Sequence, residues 1–255
     1  MAPYAQYPSL KDKVVYLTGG ATGIGACLVE RFASQGCQVI FNDILDEQAH
    51  ILCETMSSKG FIKPEFHAVD VTNVDLLKES IRRTHTQFDR IDILINNVSN
   101  DARHSPTEMS QAQWHSFMQV NLDASFFCCQ EVIPIMQAQG GGSIVNMSSI
   151  NVLIGPHNMA SYAAAKAGIN GMTKALANQY GVDKIRVNSI LPGWVVTERQ
   201  LNLWLTPEKE QEWQERVAIK GRLLPDDIAN LTLFLASDDS KMITGQHMVI
   251  DAGRT

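Results

Sequence analysis

Short apolar runs rich in β-branched residues alternate along this chain with longer stretches in which apolar positions recur every three or four residues. The runs at 14–18 (VVYLT), 38–43 (QVIFND), 65–70 (EFHAVD), 91–97 (IDILINN), 143–147 (SIVNM), 185–190 (IRVNSI) and 247–251 (HMVID) predict strands. Helices are predicted after the glycines that follow Thr18, over Leu45 to Lys59, from a cap at Thr72, and around Gln111 to Gln139. Others follow through SYAAAK towards Gly181, from TPEKE, and after LLPDD. Pro134 inside the long helical pattern predicts a kink or an early end, and Gly181 reads as a C-terminal stop. Strands alternating with helices of this length imply a parallel sheet covered on both faces.

The first strand runs directly into GGATGIGACLVE, an order that reads as strand, glycine turn, helix. Glycines at 19, 23 and 25 let the backbone approach a ligand, and the free N–H groups of a helix start favour a pyrophosphate. The fold class is therefore α/β, a Rossmann-type doubly wound parallel sheet in a single domain. The second strand ends at Asp43, where a carboxylate can accept both adenosine-ribose hydroxyls and repels a 2′-phosphate. NAD is the expected cofactor, with NADP disfavoured by Asp43. Asp70 and Asn97 also fall at strand ends, where open α/β sheets bind ligands.

The length of 255 residues, 45% of them hydrophobic, suits one large domain. We divide it into a tail at 1–10 and a dinucleotide-binding catalytic domain at 11–255. The Trp-rich insertion at about 194–220 is a candidate substrate loop or lid, and its plainer reading is a surface helix pair packed by tryptophans. A net charge of −6 without a basic run argues against nucleic acid. Five cysteines with no CxxC pair suit a reducing compartment. The start lacks a basic and apolar leader and no run of about 18 apolar residues occurs, so a cytoplasmic protein with no membrane partner is expected. The scattered histidines give no metal-ligand pair, and no catalytic metal is expected.

The chemistry concentrates in SYAAAK. Tyr162 and Lys166 stand four residues apart, on one face of a helix. A phenol titrates near ~10 when unperturbed, and a fixed positive charge beside it pulls that value towards neutrality, which would let Tyr162 serve as a general base or acid. Ala163, Ala167 and Gly171 on the same helix form a small-residue stripe suited to the core or to a subunit interface.

With TGGATGIG, NN, SS and YAAAK in this order, the chain resembles the short-chain dehydrogenase/reductase family from about Lys11 to the carboxyl end. The resemblance implies a catalytic group of Asn121, Ser149, Tyr162 and Lys166. In it Ser149 bonds the reacting oxygen, Tyr162 moves the proton, Lys166 lowers the tyrosine pKa and binds the nicotinamide ribose, and Asn121 holds a relay water. It further implies Gly19, Gly23, Ile24 and Gly25 at the pyrophosphate, Asp43 at the ribose, Asp70 and Val71 at the adenine, and Asn97 near the nicotinamide. Pro192, Gly193, Val195 and Thr197 match the segment that contacts the carboxamide. Where the family usually has NNAG this chain has NNVS, so the freedom of a glycine is lost at Ser99.

Several stretches, YPSLKDK, NDARH, RQLNLWLTPE and the LASDD to DAG tail, look like bacterial aldose 1-dehydrogenases. That likeness implies oxidation of a small-molecule sugar to a lactone by a homotetramer or dimer. Candidate substrate contacts are Ser149, Asn151, Asn158, Tyr162 and Trp194, within a polar set that includes Asn100, Asp101, Arg103, His104 and His157; Trp204 could also stack on a sugar ring. The alternative is a ketoreductase or secondary-alcohol dehydrogenase with a pocket lined by Val152, Leu153, Ile154 and Met159.

Overall fold

Side chains of strand β1 (Val14–Thr18) leave alternately on its two faces: Val15 and Leu17 enter one core, Val14 and Tyr16 the other. The computed structural model describes residues 4–255, and residues 1–3 of the expected tail lie outside them. The further strands are β2 (Gln38–Asp43), β3 (Glu65–Ala68), β4 (Ile93–Asn96), β5 (Gly142–Met147), β6 (Ile185–Pro192) and β7 (His247–Ile250). They form one parallel sheet in the order β3-β2-β1-β4-β5-β6-β7. The order reverses between β1 and β4, which opens a crevice at the carboxyl ends of those strands.

The helices are α1 (Gly23–Ser34), α2 (Asp46–Ser58), α3 (Val74–Phe88), α4 (Gln111–Met118), α5 (Ala124–Ala138), α6 (Asn151–Ile154), α7 (Ala160–Tyr180), α8 (Glu198–Leu203), α9 (Pro207–Arg216) and α10 (Pro225–Ala236). On one sheet face Leu28 and Phe32 of α1 pack with Ile228 and Leu233 of α10. On the other, Leu77 and Ile81 of α3 pack with Cys128 and Val132 of α5 and Ala177 of α7. The doubly wound architecture is thus present. Among the described residues, no helix is long and apolar enough to cross a membrane.

Several local expectations change. Asn73, not Thr72, caps α3, its side chain accepting from Leu76 N at 3.2 Å, while Thr72 donates to Asp70. The helix through Pro134 does not end there; it continues to Ala138. Its irregularity lies earlier, in a π turn at Gln119–Asp123 that joins α4 to α5. Gly181 ends α7 in right-handed geometry, and the left-handed residue is Lys184 (φ 60°) after a further 3₁₀ turn. Residues 8–10 of the predicted tail make a 3₁₀ turn whose Leu10 is buried in the core beside α1. Ala163 is half-buried, but Ala167 and Gly171 are exposed, so the small-residue stripe is not core.

Candidate active site

Parallel strands bring all their carboxyl ends to one edge of the sheet, and the site residues follow from that edge. After β1 the chain turns at Gly19 (φ +72°), where a Cβ would come within 2.8 Å of Val98 Cγ2. A Cβ on Gly25 would collide with the Gly19 carbonyl oxygen, so the strand and α1 can approach this closely only through glycine. Helix α1 begins at Gly23 with no side-chain cap and no acidic residue in its first turn. Its leading N–H groups, those of Gly23, Ile24 and Gly25, are thereby available to an anion. Gly23 is exposed at the mouth, facing the Thr197 methyl group, which would lie 3.4 Å from a Cβ there.

Asp43 at the end of β2 accepts the Ala21 N–H at 2.9 Å through Oδ2, and those of Ile44 and Leu45 at 2.8 and 3.1 Å through Oδ1. These bonds fix the carboxylate against the glycine turn. Beside it Ile44 is 71% exposed and carries no charge for a phosphate. Asp70 is exposed and accepts the Thr72 N–H and hydroxyl, while Val71 is buried. Asn97 donates to the Thr18 and Gly19 carbonyls at 3.2 and 2.9 Å, tying the end of β4 to the turn. On the far side Pro192 ends β6, Gly193 N donates to Ile250 O at 2.8 Å, and buried Val195 bridges to Leu223. Thr197 caps α8 by accepting from Gln200 N at 3.3 Å. A glycine cradle, an uncapped helix start and a strand-end carboxylate fit a dinucleotide. Among the described residues no group of three His, Cys, Asp or Glu side chains could hold a metal ion.

The groups expected to react lie beyond the carboxyl end of β5. Buried Tyr162 and Lys166 share one face of α7, with Nζ 5.7 Å from the phenol ring centroid. Nζ donates to the Met147 carbonyl at 2.8 Å, and Ser148 Oγ donates to the Lys166 carbonyl at 3.0 Å, so the end of β5 anchors the helix. Ser149 accepts from Asn151 N at 3.1 Å, and its hydroxyl acts on Tyr162 in the direction that favours the ionised phenol. Burial pushes the Lys166 ammonium down to about 8. The phenol departs from expectation. Burial raises Tyr162 above its ordinary value and the Asp101 carboxylate adds to the rise, while hydrogen bonds from Ser99 and Ser149 pull it down. The groups that favour its ionised form here are these two hydroxyls, and the lysine is turned to a backbone carbonyl.

Asn121 is fully buried in the π turn, a device common at functional sites. Its Nδ2 donates to Phe117 O at 2.9 Å, which aims Oδ1 outward to accept Asn100 N at 2.9 Å and Ser99 Oγ at 3.3 Å. Ser99 Oγ also lies 3.4 Å from Tyr162 Oη. Ser99 and Val98 adopt no positive φ, so the loss of glycine in NNVS leaves the backbone unstrained. The sequence pattern singles out Ser99 only as a departure and does not place it at the site; that departure from glycine is the signal that marks it.

The expected substrate contacts divide. Asn151 lies beside Ser149 with its Nδ2 3.5 Å from Met159 Sδ. Asn158 is exposed, adopts φ 59°, and its carbonyl accepts His104 N at 2.9 Å. Trp194 is committed within the 194–220 segment: Nε1 donates to Gln200 Oε1 at 2.8 Å, and the ring meets Trp213 edge-on at 5.9 Å. The segment holding α8 and α9 thus contains a tryptophan-packed pair. The loop after β4 is tied to this segment. Asp101 accepts from Arg199 at 3.2 Å and from Gln200 at 2.7 Å, and the Arg103 guanidinium lies 4.3 Å over the Trp204 ring.

Comparisons with known proteins agree with this architecture. The family model described as enoyl-(acyl carrier protein) reductase matches residues 19–255. The chain is 45% identical over 251 residues to the probable galactose dehydrogenase GalD of Rhizobium meliloti (strain 1021), covering 98% of each chain. It is 43% identical over 249 residues to a D-xylose 1-dehydrogenase of Caulobacter vibrioides, again covering 98% of each. A solved 7 alpha-hydroxysteroid dehydrogenase complexed with NADH and 7-oxo glycochenodeoxycholic acid has a TM-score of 0.91 at 29% identity, covering 96% of each chain.

Proposed function

The chain belongs to the short-chain dehydrogenase/reductase family, and on that premise we propose that it is an NAD-dependent aldose 1-dehydrogenase that oxidises the anomeric carbon of a sugar to a lactone. The observation that carries the reaction is the meeting of Ser149, Tyr162 and Lys166 at the carboxyl edge of β5. The substrate class is supported by likeness to a galactose and a xylose dehydrogenase over nearly the whole chain, and by the polar side chains of the loops after β4 and β5.

In this scheme Ser149 orients the C1 hydroxyl by a hydrogen bond, and Tyr162 Oη takes its proton as general base. Asn121 fixes the loop that carries Asn100 and Asp101. The glycine turn at Gly19, Gly23, Ile24 and Gly25 would hold the dinucleotide phosphates, Asp43 the adenosine ribose, Asp70 and Val71 the adenine. Asn97, Lys166, Pro192, Gly193, Val195 and Thr197 would surround the nicotinamide end. Bound NAD would supply the hydride acceptor and a positive charge beside the phenol. Asp43 and uncharged Ile44 favour NAD over NADP. The exposed stripe of Ala167 and Gly171 on α7 favours association of copies, for which the family resemblance implies a tetramer or dimer; gel filtration as a monomer would contradict it.

The test is NADH absorbance with NAD or NADP against a panel of D-galactose, D-xylose, L-arabinose and D-glucose. Turnover of at least one aldose with preference for NAD is expected. A second reading, a secondary-alcohol dehydrogenase or ketoreductase, is favoured by the apolar Val152, Leu153, Ile154 and Met159 of the segment after β5, of which Leu153 is 56% exposed. Turnover of a hydrophobic secondary alcohol or a 3-oxoacyl thioester, with none of any aldose, would select it.

A further inference from the structure

Ser99 stands where the family pattern has glycine, and its hydroxyl reaches two groups of the site at once. Oγ lies 3.3 Å from Asn121 Oδ1 and 3.4 Å from Tyr162 Oη. A serine hydroxyl carries one hydrogen and two acceptor lone pairs, so it can donate to only one of these neighbours at a time. The neighbours are unlike. Asn121 Oδ1 only accepts, because the Nδ2 end of that amide is committed to the Phe117 carbonyl at 2.9 Å. Tyr162 Oη donates when protonated and only accepts when ionised.

Two arrangements follow. With Tyr162 protonated, the donors run in one direction, from Tyr162 Oη to Ser99 Oγ and from Ser99 Oγ to Asn121 Oδ1. With Tyr162 ionised, the serine hydrogen turns to the phenolate. That turn leaves no acceptor orphaned at Asn121, since Asn100 N still donates to Oδ1 at 2.9 Å. The cost of switching is therefore small, whereas a charged acceptor gains a stronger bond than a neutral one.

We propose that Ser99 is a further member of the catalytic group: a hydroxyl rotor that follows the protonation of Tyr162 and stabilises its ionised form. The proposal deepens the reading of Tyr162 as the general base and rests on it. Burial opposes ionisation of this phenol, and a hydrogen bond from Ser99 counters it. The charged groups facing the phenol are Lys166 on its own helix, held by the Met147 carbonyl, and Asp101 on the loop after β4, paired with Arg199 of α8. His104 meets the same helix through a 2.9 Å contact with Ser161 Oγ. None of these replaces the hydrogen that Ser99 offers. Alanine or glycine at 99 removes that hydrogen without opening the core, because Ser99 is exposed.

The experiment compares wild type with Ser99→Ala, Ser99→Gly and Ser99→Thr, each saturated with NAD. The Tyr162 phenol is titrated by tyrosinate absorbance, with a Tyr162→Phe variant subtracting the other tyrosines. The Ala and Gly variants should titrate higher by about half a unit to one unit, and Thr should match wild type. Aldose oxidation at pH 7 should fall roughly three- to tenfold in Ala and Gly and recover at alkaline pH, with the KM for NAD unchanged. Unchanged midpoints in Ala and Gly, or a loss of activity equal at every pH, would overturn the proposal. If wild type oxidises no alcohol while the midpoint still moves as stated, the functional reading fails and with it the catalytic role, and only the hydrogen bond from Ser99 to the Tyr162 phenolate stands.

Discussion

Gln200 of α8 donates to the Asp101 carboxylate at 2.7 Å, and the same oxygen pair receives Arg199. Arg199 is 55% exposed, so its ion pair adds at most about 1 kcal/mol to stability. The contacts matter for where α8 sits. Asp101→Ala should therefore raise the KM for substrate on the order of tenfold, the effect of about 1.4 kcal/mol, with little change in Tm. The carboxylate also raises the Tyr162 pKa, so the pH profile of the variant should shift to lower pH. Steady-state kinetics against pH and a thermal melt check both.

Tyr162→Phe removes the hydroxyl and leaves the ring packed with Met159 and Phe117. Turnover should drop at least 10²- to 10⁴-fold while NAD still binds. Stopped-flow turnover and fluorescence titration with NADH measure the two effects, and a near-normal rate would remove Tyr162 from the chemistry.

Lys166 makes stability depend on pH. Its value is pushed from 10.5 to about 8 in the folded chain, so between those values the unfolded chain holds a proton that the folded one has released. Stability from this group therefore rises with pH across that window. Compared with Lys166→Met, which does not titrate, wild type should gain on the order of 3 kcal/mol between pH 8 and 10.5. Paired urea melts at both ends of the window would expose the difference, and a constant gap would contradict the burial argument.

Cofactor choice should follow Asp43 and Ile44. Replacing them together, Asp43→Ser with Ile44→Arg, removes the repelling charge and adds a phosphate partner. The ratio of kcat/KM for NAD over NADP should fall at least about 100-fold. Asp43→Ala alone should weaken NAD on the order of tenfold and loosen the glycine turn, because Ala21 N loses its acceptor. Isothermal titration with both dinucleotides would detect either change.

How much of this is legible in the sequence depends on the range of the interactions. VVYLT and QVIFND coincide with β1 and β2 because strands buried on both faces carry unbroken apolar runs. Tyr162 and Lys166 are legible together because four residues on a helix is a local relationship. Ser99 is not, for its partner Tyr162 lies 63 positions away and only the fold joins them. The grip of Arg199 on Asp101 spans 98 positions and is equally silent in the spacing. The direction of Lys166 Nζ depends on a carbonyl of β5, which no helical pattern encodes. The cap at Asn73 in place of Thr72 is a slip of one residue, since either type can accept from a helix N–H.

The π turn at Gln119–Asp123 carries one more consequence. A residue of α-helix is worth about 100° of rotation, and the wide turn takes up its surplus residue without passing that rotation on. Cys128, Val132 and Met136 therefore still meet the sheet downstream of it. Shortening the segment by a single codon would let the turn close to ordinary α geometry with this apolar row in place, while the Asn121 amide would lose its present setting. The helix would outlast such a deletion; the polar anchor under Ser99 and Asn100 would not.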